Sequence, residues 1–168
     1  GAIALVQIVG IGEKETNQER QDKKVEEGQP ILNVGVKEVK SPISGKVIAL
    51  EKVNDPVFSS GAMGKGIAIE PTDNRVYAPF NGTIEFIADT KHAIGLLSED
   101  GVEVLIHVGM DTVKMQGRGF NVKTSANSKV KAGDLLLEFD KNAIEKEGYS
   151  LITPVVITNA DNYEDKAL

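Results

Sequence analysis

The feature that most constrains the fold is a succession of short β-prone runs separated by turn residues. From about residue 36 onward, runs rich in Val, Ile, Leu and Phe alternate with Gly, Pro, Asn and Asp. The runs are Lys46–Leu50, Gly66–Glu70, Thr83–Ala88, Ile94–Leu97, Val102–Val108, Leu135–Phe139 and Val155–Thr158. Strands at this spacing are typical of antiparallel sandwiches and barrels. The pattern therefore predicts an all-β protein, with one short helix over Lys141–Gly148.

Two pairs of similar segments, which are internal repeats, refine this prediction. Ser41–Ile48 is echoed by Ala78–Glu85, where in each case a proline ends a strand, a glycine turns the chain and a β-prone run resumes. Val25–Leu32 is echoed in the same way by Val130–Leu136. Such echoes favour an antiparallel β-sandwich or distorted barrel of duplicated hairpins, the barrel-sandwich hybrid type. They indicate architecture and say nothing about chemistry.

Composition excludes several classes of function. The 25 acidic and 19 basic residues give a formal charge of −6, which argues against nucleic acid or an anionic membrane as the main partner. The chain has no cysteine, so disulfides, thiol nucleophiles and cysteine-ligated zinc are excluded. The apolar residues 1–12 are shorter than the roughly 20 residues that a membrane span needs. These features predict a cytoplasmic protein without direct membrane insertion.

The polarity of the chain suggests two regions. Residues 13–24 carry no apolar side chain and are predicted to form a solvated linker or long loop. We therefore expect residues 1–35 to supply N-terminal strands and a polar loop. Residues 36–168 are expected to form the main domain, because a chain of 168 residues fits one well-cored domain with a tail.

The two histidines of the chain flank one predicted β-hairpin. His92 precedes and His107 ends the two runs joined by Ser98–Gly101, and Asp-Gly is a strong hairpin signal. A two-residue loop of Glu99 and Asp100 would place His92 directly opposite His107 on one face. A bulge at Gly101 would change this register and separate the faces. We predict adjacent imidazoles.

Adjacent imidazoles can carry a phosphoryl group. Neutral imidazole is a good nucleophile near pH 7, because its ordinary pKa is about 6.5. A second imidazole can donate a hydrogen bond to the phosphoryl oxygens and stabilise their charge. Thr90 lies two residues before His92, so its hydroxyl could fix the orientation of that ring. The pair therefore predicts a site for nucleophilic transfer.

Other readings of the same residues remain open at this point. His107 and Asp111 have a His-x-x-x-Asp spacing that, with His92, could bind zinc as in a zinc peptidase-like domain. The chain lacks the His-x-His pair that peptidases of this kind carry, and Asp111 could instead be a turn residue that caps the amides of Thr112 and Val113. A non-catalytic regulatory binding module is a further alternative.

Several segments together resemble one known family. They include Ser41–Gly45, Asp55–Phe58, Gly66–Ile69, Ala78–Pro79, Thr90–Ala93, Leu105–Val113, Gly117–Phe120 and Thr153–Val156. Over residues 39–159 the chain resembles the glucose-type enzyme IIA domain of the bacterial phosphoenolpyruvate-dependent sugar phosphotransferase system. The segment around His107 is similar to the phosphorylation signature of that family almost residue for residue.

The resemblance implies a function and a set of site residues. His107 would accept the phosphoryl group as a phosphohistidine, His92 would stabilise that group, and Thr90 would belong to the hydrogen-bond network. The donor would be the histidine-containing phosphocarrier protein and the recipient a cysteine on the enzyme IIB domain of a sugar permease. No cofactor would be required; zinc would bind at His92 and His107 only together with a partner's carboxylate. A partner-docking patch would include Phe58, Ile94, Leu96, Leu105, Val108 and Met110.

The chain departs from the family pattern at two places. Lys65 replaces the acidic residue that the family usually has between two glycines, a change we expect the fold to tolerate. The closing strands that normally follow the Thr-Pro-Val-Val-Ile-Thr-Asn segment are not found after it. Val25–Val34 resembles them instead, and Gly1–Ile11 could add another strand. Circular permutation, a domain swap or truncation, and the tail of an upstream permease domain are the competing interpretations; the first is favoured, because an open barrel edge invites aggregation.

Overall fold

The structure is a computed structural model that describes residues 23–35 and 37–163. The strands of this part are β1 (Lys23–Val25), β2 (Pro30–Val34), β3 (Lys37–Lys40), β4 (Gly45–Ala49), β5 (Lys65–Pro71), β6 (Arg75–Tyr77), β7 (Gly82–Ile87), β8 (Ala93–Ser98), β9 (Glu103–His107), β10 (Phe120–Val122), β11 (Lys129–Val130), β12 (Leu135–Phe139) and β13 (Thr153–Ile157). The helices are α1 (Pro56–Ser59) and α2 (Lys141–Lys146), with 3₁₀ turns at Leu50–Lys52 and Thr112–Met115. None of the described helices is long and apolar enough to cross a membrane.

The strands form three antiparallel sheets. The largest has the order β1-β4-β5-β13-β9-β8-β7-β11, and a second has the order β10-β12-β6. The hairpin of β2 and β3 is the third. The prediction of an all-β antiparallel sandwich is therefore confirmed.

The predicted elements are found with small shifts at their ends. β12 has the predicted bounds, and the other six predicted strands correspond to β4, β5, β7, β8, β9 and β13. Helix α2 begins at Lys141 as predicted, where the Asp140 carboxylate accepts a hydrogen bond from the Ala143 amide. It ends at Lys146, two residues early, because Gly148 has a φ of 88° that a helix cannot continue through.

The apolar side chains form two clusters on opposite sides of the β8–β9 hairpin. Ile94, Leu96 and Ile106 point into the main core. Ala93 and Leu105 belong to a second cluster, because side chains alternate between the faces of a strand. The buried members of this second cluster are Leu50, Val53, Phe58, Ala68, Ala93, Leu105, Met110 and Val156.

Strands β1 and β2 pack against the rest of the molecule. β1 pairs with β4 at the edge of the large sheet, and Ile31, Leu32 and Val34 of β2 are buried in the main core. The predicted linker over residues 13–24 is therefore wrong at its end, since Lys23 and Lys24 lie in β1. The other residues of that linker, and the predicted strand Gly1–Ile11, lie outside the described residues.

The predicted register of the β8–β9 hairpin is wrong by one residue. His107 lies opposite Ala93, not opposite His92. The loop has three residues: Ser98 donates its amide to the Val102 carbonyl, and Gly101 has a φ of 92°. A three-residue loop with a left-handed third residue is the bulged alternative to a two-residue turn. This bulge leaves His92 one residue before Ala93, the first paired residue of β8.

Candidate functional site

The two imidazoles meet despite the shifted register. His107 is the last residue of β9, and His92 immediately precedes β8 after Lys91, whose φ is 65°. The left-handed residue turns the backbone, so that His92 does not follow the strand alternation. The ring centroids lie 4.6 Å apart, with an interplanar angle of 86°. The prediction of adjacent histidines is right, although the predicted pairing is not its cause.

Hydrogen bonds fix the tautomer of His107. Its Nδ1 lies 2.9 Å from the carbonyl oxygen of Gly109. A carbonyl oxygen can only accept, so Nδ1 carries the proton and donates it. In the neutral ring Nε2 is then the nitrogen with the lone pair. The same contact aims the reactive nitrogen away from the Gly109 loop.

A second hydrogen bond orients His92. The Thr90 hydroxyl and Nδ1 of His92 lie 2.8 Å apart, which supports the predicted link between these residues. If the hydroxyl donates, Nδ1 is the acceptor and the neutral ring carries its proton on Nε2. The pair then offers one unprotonated nitrogen, on His107, and one N–H donor, on His92. That is the combination a nucleophile and its charge-stabilising neighbour need.

An aromatic side chain of the second cluster contacts the imidazole pair. The rings of Phe58 and His107 lie 4.9 Å apart at an interplanar angle of 58°. His92 is buried, with 7 % of its surface exposed, whereas His107 is partly exposed. Leu105 and Met110 are buried in the second cluster together with Phe58. His107 is therefore the more accessible imidazole, and its ring contacts an aromatic member of the second cluster.

Burial keeps both histidines neutral near pH 7. Loss of hydration and, to a smaller extent, the neighbouring His107 together lower the pKa of His92 to about 4, while a backbone hydrogen bond with Thr90 acts in the opposite direction. Burial also lowers the pKa of His107, against its hydrogen bond to Gly109 and the negative charges of Asp55 and Asp111. Both rings are thus free bases at neutral pH, the form in which an imidazole nitrogen can act as a nucleophile.

Two acidic residues contribute charge beside His107. Asp55 starts α1, where its carboxylate accepts a hydrogen bond of 3.0 Å from the Val57 amide. Asp111 lies before the 3₁₀ turn with a φ of 63°, so it is a turn residue as expected. Its predicted capping bond to Thr112 or Val113 is wrong, because its carboxylate makes no such contact.

The imidazole pair could supply two nitrogen ligands to a metal. Zinc in proteins takes four ligands, three of them from protein at a catalytic site. Across residues 23–35 and 37–163, no three His, Cys, Asp or Glu side chains are grouped as a metal site.

The six residues expected in the docking patch fall into two groups. Ile94, Leu96 and Val108 are buried in the main core and offer no side-chain surface to a partner. Phe58, Leu105 and Met110 lie in the second cluster; Leu105 is two residues before His107, and Met110 directly follows Gly109. Ile94 and Leu96 were assigned to the wrong face because the assumed register was one residue off.

Sequence reasoning missed several features of the site. The contact of Nδ1 of His107 with Gly109 depends on a left-handed glycine, for which the Gly-Met-Asp run was the only signal. Helix α1 was not predicted, although Asp55 followed by Pro56 is a helix-start pattern. Lys65 is exposed in β5 opposite Ile157, and the strand forms there as expected.

Comparison with known proteins gives a consistent result. The model of the family described as phosphoenolpyruvate-dependent sugar phosphotransferase system, EIIA 1, matches residues 37–163. A PTS system glucose-specific EIIA component from Buchnera aphidicola subsp. Acyrthosiphon pisum is 49% identical over 127 residues, which are 76% of this chain and 79% of the relative. The family-model match over residues 37–163 includes both histidines and the whole second cluster.

Longer relatives and one solved structure extend the comparison. The PTS system beta-glucoside-specific EIIBCA component from Dickeya chrysanthemi is 56% identical over 123 residues, 73% of this chain and 20% of that protein. The chain thus spans about a fifth of such relatives. The glucose permease IIA from Mycoplasma capricolum superposes with a TM-score of 0.69 at 38% identity, covering 71% of this chain and 78% of that one.

Proposed function

The chain belongs to the EIIA 1 family of the phosphoenolpyruvate-dependent sugar phosphotransferase system and is a phosphocarrier unit of it; from that premise we propose that His107 carries the phosphoryl group as a phosphohistidine. The observation that supports this proposal most is that Nδ1 of each histidine is already used in a hydrogen bond. Nδ1 of His107 donates to Gly109 and Nδ1 of His92 meets Thr90. The Nε2 atoms are left for the transferred group.

The transfer step follows from these contacts. The Nε2 lone pair of His107 attacks the phosphorus of a phosphohistidine on the donor, and the donor's P–N bond breaks as its imidazole takes back the electron pair. The ring of His107 becomes more positive while Nδ1 keeps its proton. The Gly109 carbonyl stabilises that charge through the hydrogen bond it already accepts.

His92 is proposed to stabilise the phosphoryl oxygens. With Nδ1 accepting from the Thr90 hydroxyl, its Nε2–H is the donor that faces the transferred group. Because His92 is neutral near pH 7, it donates a hydrogen bond without fixing the phosphoryl group as an ion pair. The group can therefore leave again when an acceptor is aligned.

The partners proposed are the histidine-containing phosphocarrier protein as donor and an enzyme IIB domain as recipient. In the second step a cysteine sulfur attacks phosphorus, the P–N bond to His107 breaks and Nε2 regains its lone pair. The relatives named EIIBCA components support the IIB assignment, because IIA and IIB units share one chain there. We propose that the exchange takes place in the cytoplasm, beside or tethered to a permease. No cofactor is required by this step.

Docking is proposed to use the exposed apolar side chains beside the site. Val57 and Val113 have 50% and 48% of their surface exposed. Val57 precedes Phe58, which contacts His107, and Val113 follows the loop that carries Gly109. A partner that covers these side chains would exclude water from the transferring group. The buried Phe58, Leu105 and Met110 would support this surface from below.

Intact mass after incubation with phosphoenolpyruvate, enzyme I and the histidine phosphocarrier tests the acceptor. We expect one acid-labile phosphoryl group on the wild type, none on His107→Gln, and one on His92→Gln at a rate about 10²-fold lower. A modified His107→Gln protein would overturn the assignment. A folded wild type that takes no phosphoryl group would instead favour the regulatory binding module.

A further inference from the structure

Thr112 lies at the centre of the loop that holds the acceptor histidine. Its side chain is fully buried, and its hydroxyl donates a hydrogen bond of 2.5 Å to the Val108 carbonyl. Val108 directly follows His107, and its amide donates to the His92 carbonyl over 2.8 Å. The hydroxyl of Thr112 therefore closes a loop whose first residue is bonded to the backbone of the other histidine.

The same side chain also packs against Gly109. A Cβ added at Gly109 would lie 2.5 Å from Cγ2 of Thr112 and 2.8 Å from the Ser150 carbonyl oxygen. The neighbouring Met110 amide donates to the same Ser150 carbonyl, at 3.1 Å. Gly109 is thus confined between Thr112 on one side and the Ser150 backbone on the other. Its own carbonyl is the acceptor for Nδ1 of His107.

We propose that Thr112 is a positioning residue for His107. Its hydroxyl holds the 108–112 loop in the one conformation that keeps the Gly109 carbonyl on Nδ1. Nε2 of His107 is thereby kept as the unprotonated nitrogen. The inference rests on the proposed function, since it explains how the reactive nitrogen of that site is selected.

The physical reason is that neither of the two neutral tautomers is strongly favoured by imidazole itself, so the hydrogen-bond partner decides between them. The loop has two residues with left-handed backbone, Gly109 at φ 80° and Asp111 at φ 63°. Such conformations persist where the surrounding structure imposes them. The buried Thr112 hydroxyl makes a hydrogen bond across the loop, to the Val108 carbonyl, and this bond imposes the left-handed conformations.

Thr112→Val removes the hydroxyl while keeping the shape of the side chain. We expect the ¹⁵N NMR spectrum of His107, a single Nδ1–H tautomer in the wild type, to become a mixture. The rate of phosphorylation should fall between about 10-fold and 10²-fold, because the nucleophile is misplaced or masked. Thr112→Ser keeps the hydroxyl and should retain the wild-type tautomer.

Thr153→Val is the matched control. Thr153 is also a fully buried threonine whose hydroxyl donates to a backbone carbonyl, that of Leu151 at 2.9 Å, but it lies in β13. It should lose stability like Thr112→Val and leave both tautomer and rate unchanged. A Thr112→Val protein with the wild-type tautomer and rate would overturn the proposal. So would equal changes in Thr153→Val.

Two features keep the test separate from the proposed function. The tautomer is read in the unphosphorylated protein, so it reports on Thr112 even if no phosphoryl transfer is found. A wild type that is not phosphorylated would refute the carrier role and leave the tautomer comparison intact. If Thr112→Val does not fold, Thr112→Ser decides, since a folded serine variant with mixed tautomers would refute the role of the hydroxyl.

Discussion

At the scale of single residues, the site depends on keeping two imidazoles uncharged. His92 is nearly enclosed, and both burial and the adjacent ring disfavour its proton. His107 is drawn the other way by Gly109, Asp55 and Asp111, although burial has the larger effect. The two residues thus share a chemistry but not an environment, and only His107 is partly exposed. This difference supports the proposal that His107 is the nucleophile.

His92 should make the stability of the protein depend on pH. Its folded pKa of about 4 lies below its ordinary value of 6.5, so the unfolded chain binds more protons between these values. The free energy of unfolding should therefore be highest above pH 6.5 and should fall as the pH is lowered towards 4, by up to about 3 kcal/mol. Urea unfolding of the wild type and His92→Gln from pH 4 to 7.5 measures it. A wild-type slope no steeper than that of the variant would contradict the prediction.

The lowered pKa of His107 predicts how transfer responds to pH. Its ring stays unprotonated to a lower pH than a free imidazole does. The phosphorylation rate should therefore be highest near pH 8 and reach half of that value only below pH 6.5. Removing the Asp55 charge with Asp55→Asn should lower the pKa further and move this half-maximal rate to lower pH. Stopped incubations read by intact mass measure both profiles, and a rate already halved at pH 7 would be the contrary result.

At the scale of elements, short irregular segments around two strands build the site. β8 and β9 supply the frame, but His92 lies before one strand and Gly109 after the other. Helix α1 contributes Phe58, held by a four-residue helix that starts at the Asp55 cap. The loop 108–112 contributes the Gly109 carbonyl. Small loop distortions should therefore affect function more than changes within the strands.

Gly109→Ala should be strongly destabilising. Alanine at a φ of 80° is strained, and its Cβ would also collide with Thr112 and the Ser150 carbonyl. Gly133→Ala is the control, since Gly133 has a similar φ of 93° and open space around it. We expect about 1–2 kcal/mol for Gly133→Ala and clearly more for Gly109→Ala. Denaturant unfolding measures both, and equal losses would mean that the collision is relieved.

The docking surface makes a further prediction at this scale. Val57→Asp and Val113→Asp place a charge on the exposed rim without disturbing the buried second cluster. We expect slower transfer from the phosphocarrier protein, seen as a higher KM, with an unchanged melting temperature. Ala132→Asp, an exposed residue in the loop before β12, is the control and should leave transfer unchanged. Wild-type KM values for both valine variants would refute this docking surface.

At the scale of the whole molecule, the described fold extends beyond the family match. The match begins at residue 37, yet β1 and β2 lie before it and pack onto the domain. Only Gly35 and Val36 separate β2 from β3, so the two strands form a tight hairpin. Nζ of Lys37, at the start of the match, lies 5.7 Å from the ring centroid of Tyr163, at the end of the match. The start and end of the matched segment are thus neighbours in space.

This arrangement predicts that residues 23–34 are needed for stability. Ile31, Leu32 and Val34 are nearly fully buried. Deleting the segment removes their burial against the core, which should lower the free energy of unfolding by of the order of 5 kcal/mol. A chain starting at residue 36 should therefore melt well below one starting at Lys23. Moving residues 23–34 behind Tyr163 through a flexible linker should restore stability if the segment is a permuted closing element. An unchanged melting temperature after the deletion would refute the prediction that residues 23–34 stabilise the domain, and with it the permutation.

The sequence by itself determined the class of fold, seven of the strands and the two residues at the centre of the site. Alternating patterns and turn residues are local signals, so β12 and the start of α2 could be located from neighbours in the chain. The family resemblance added roles for His92, His107 and Thr90 on the strength of nearly contiguous motifs. Of these, the hydrogen bond of Thr90 to His92 is seen in the structure.

Only the tertiary structure decided how the site is assembled. A bulge at Gly101 shifted the hairpin by one residue, which exchanged the faces of Ile94 and Leu96. The contacts of Phe58 with His107 and of Gly109 with Nδ1 depend on loop conformations that a sequence pattern leaves open. The burial that lowers both histidine pKa values comes from residues distant in the chain, which pack together only after folding.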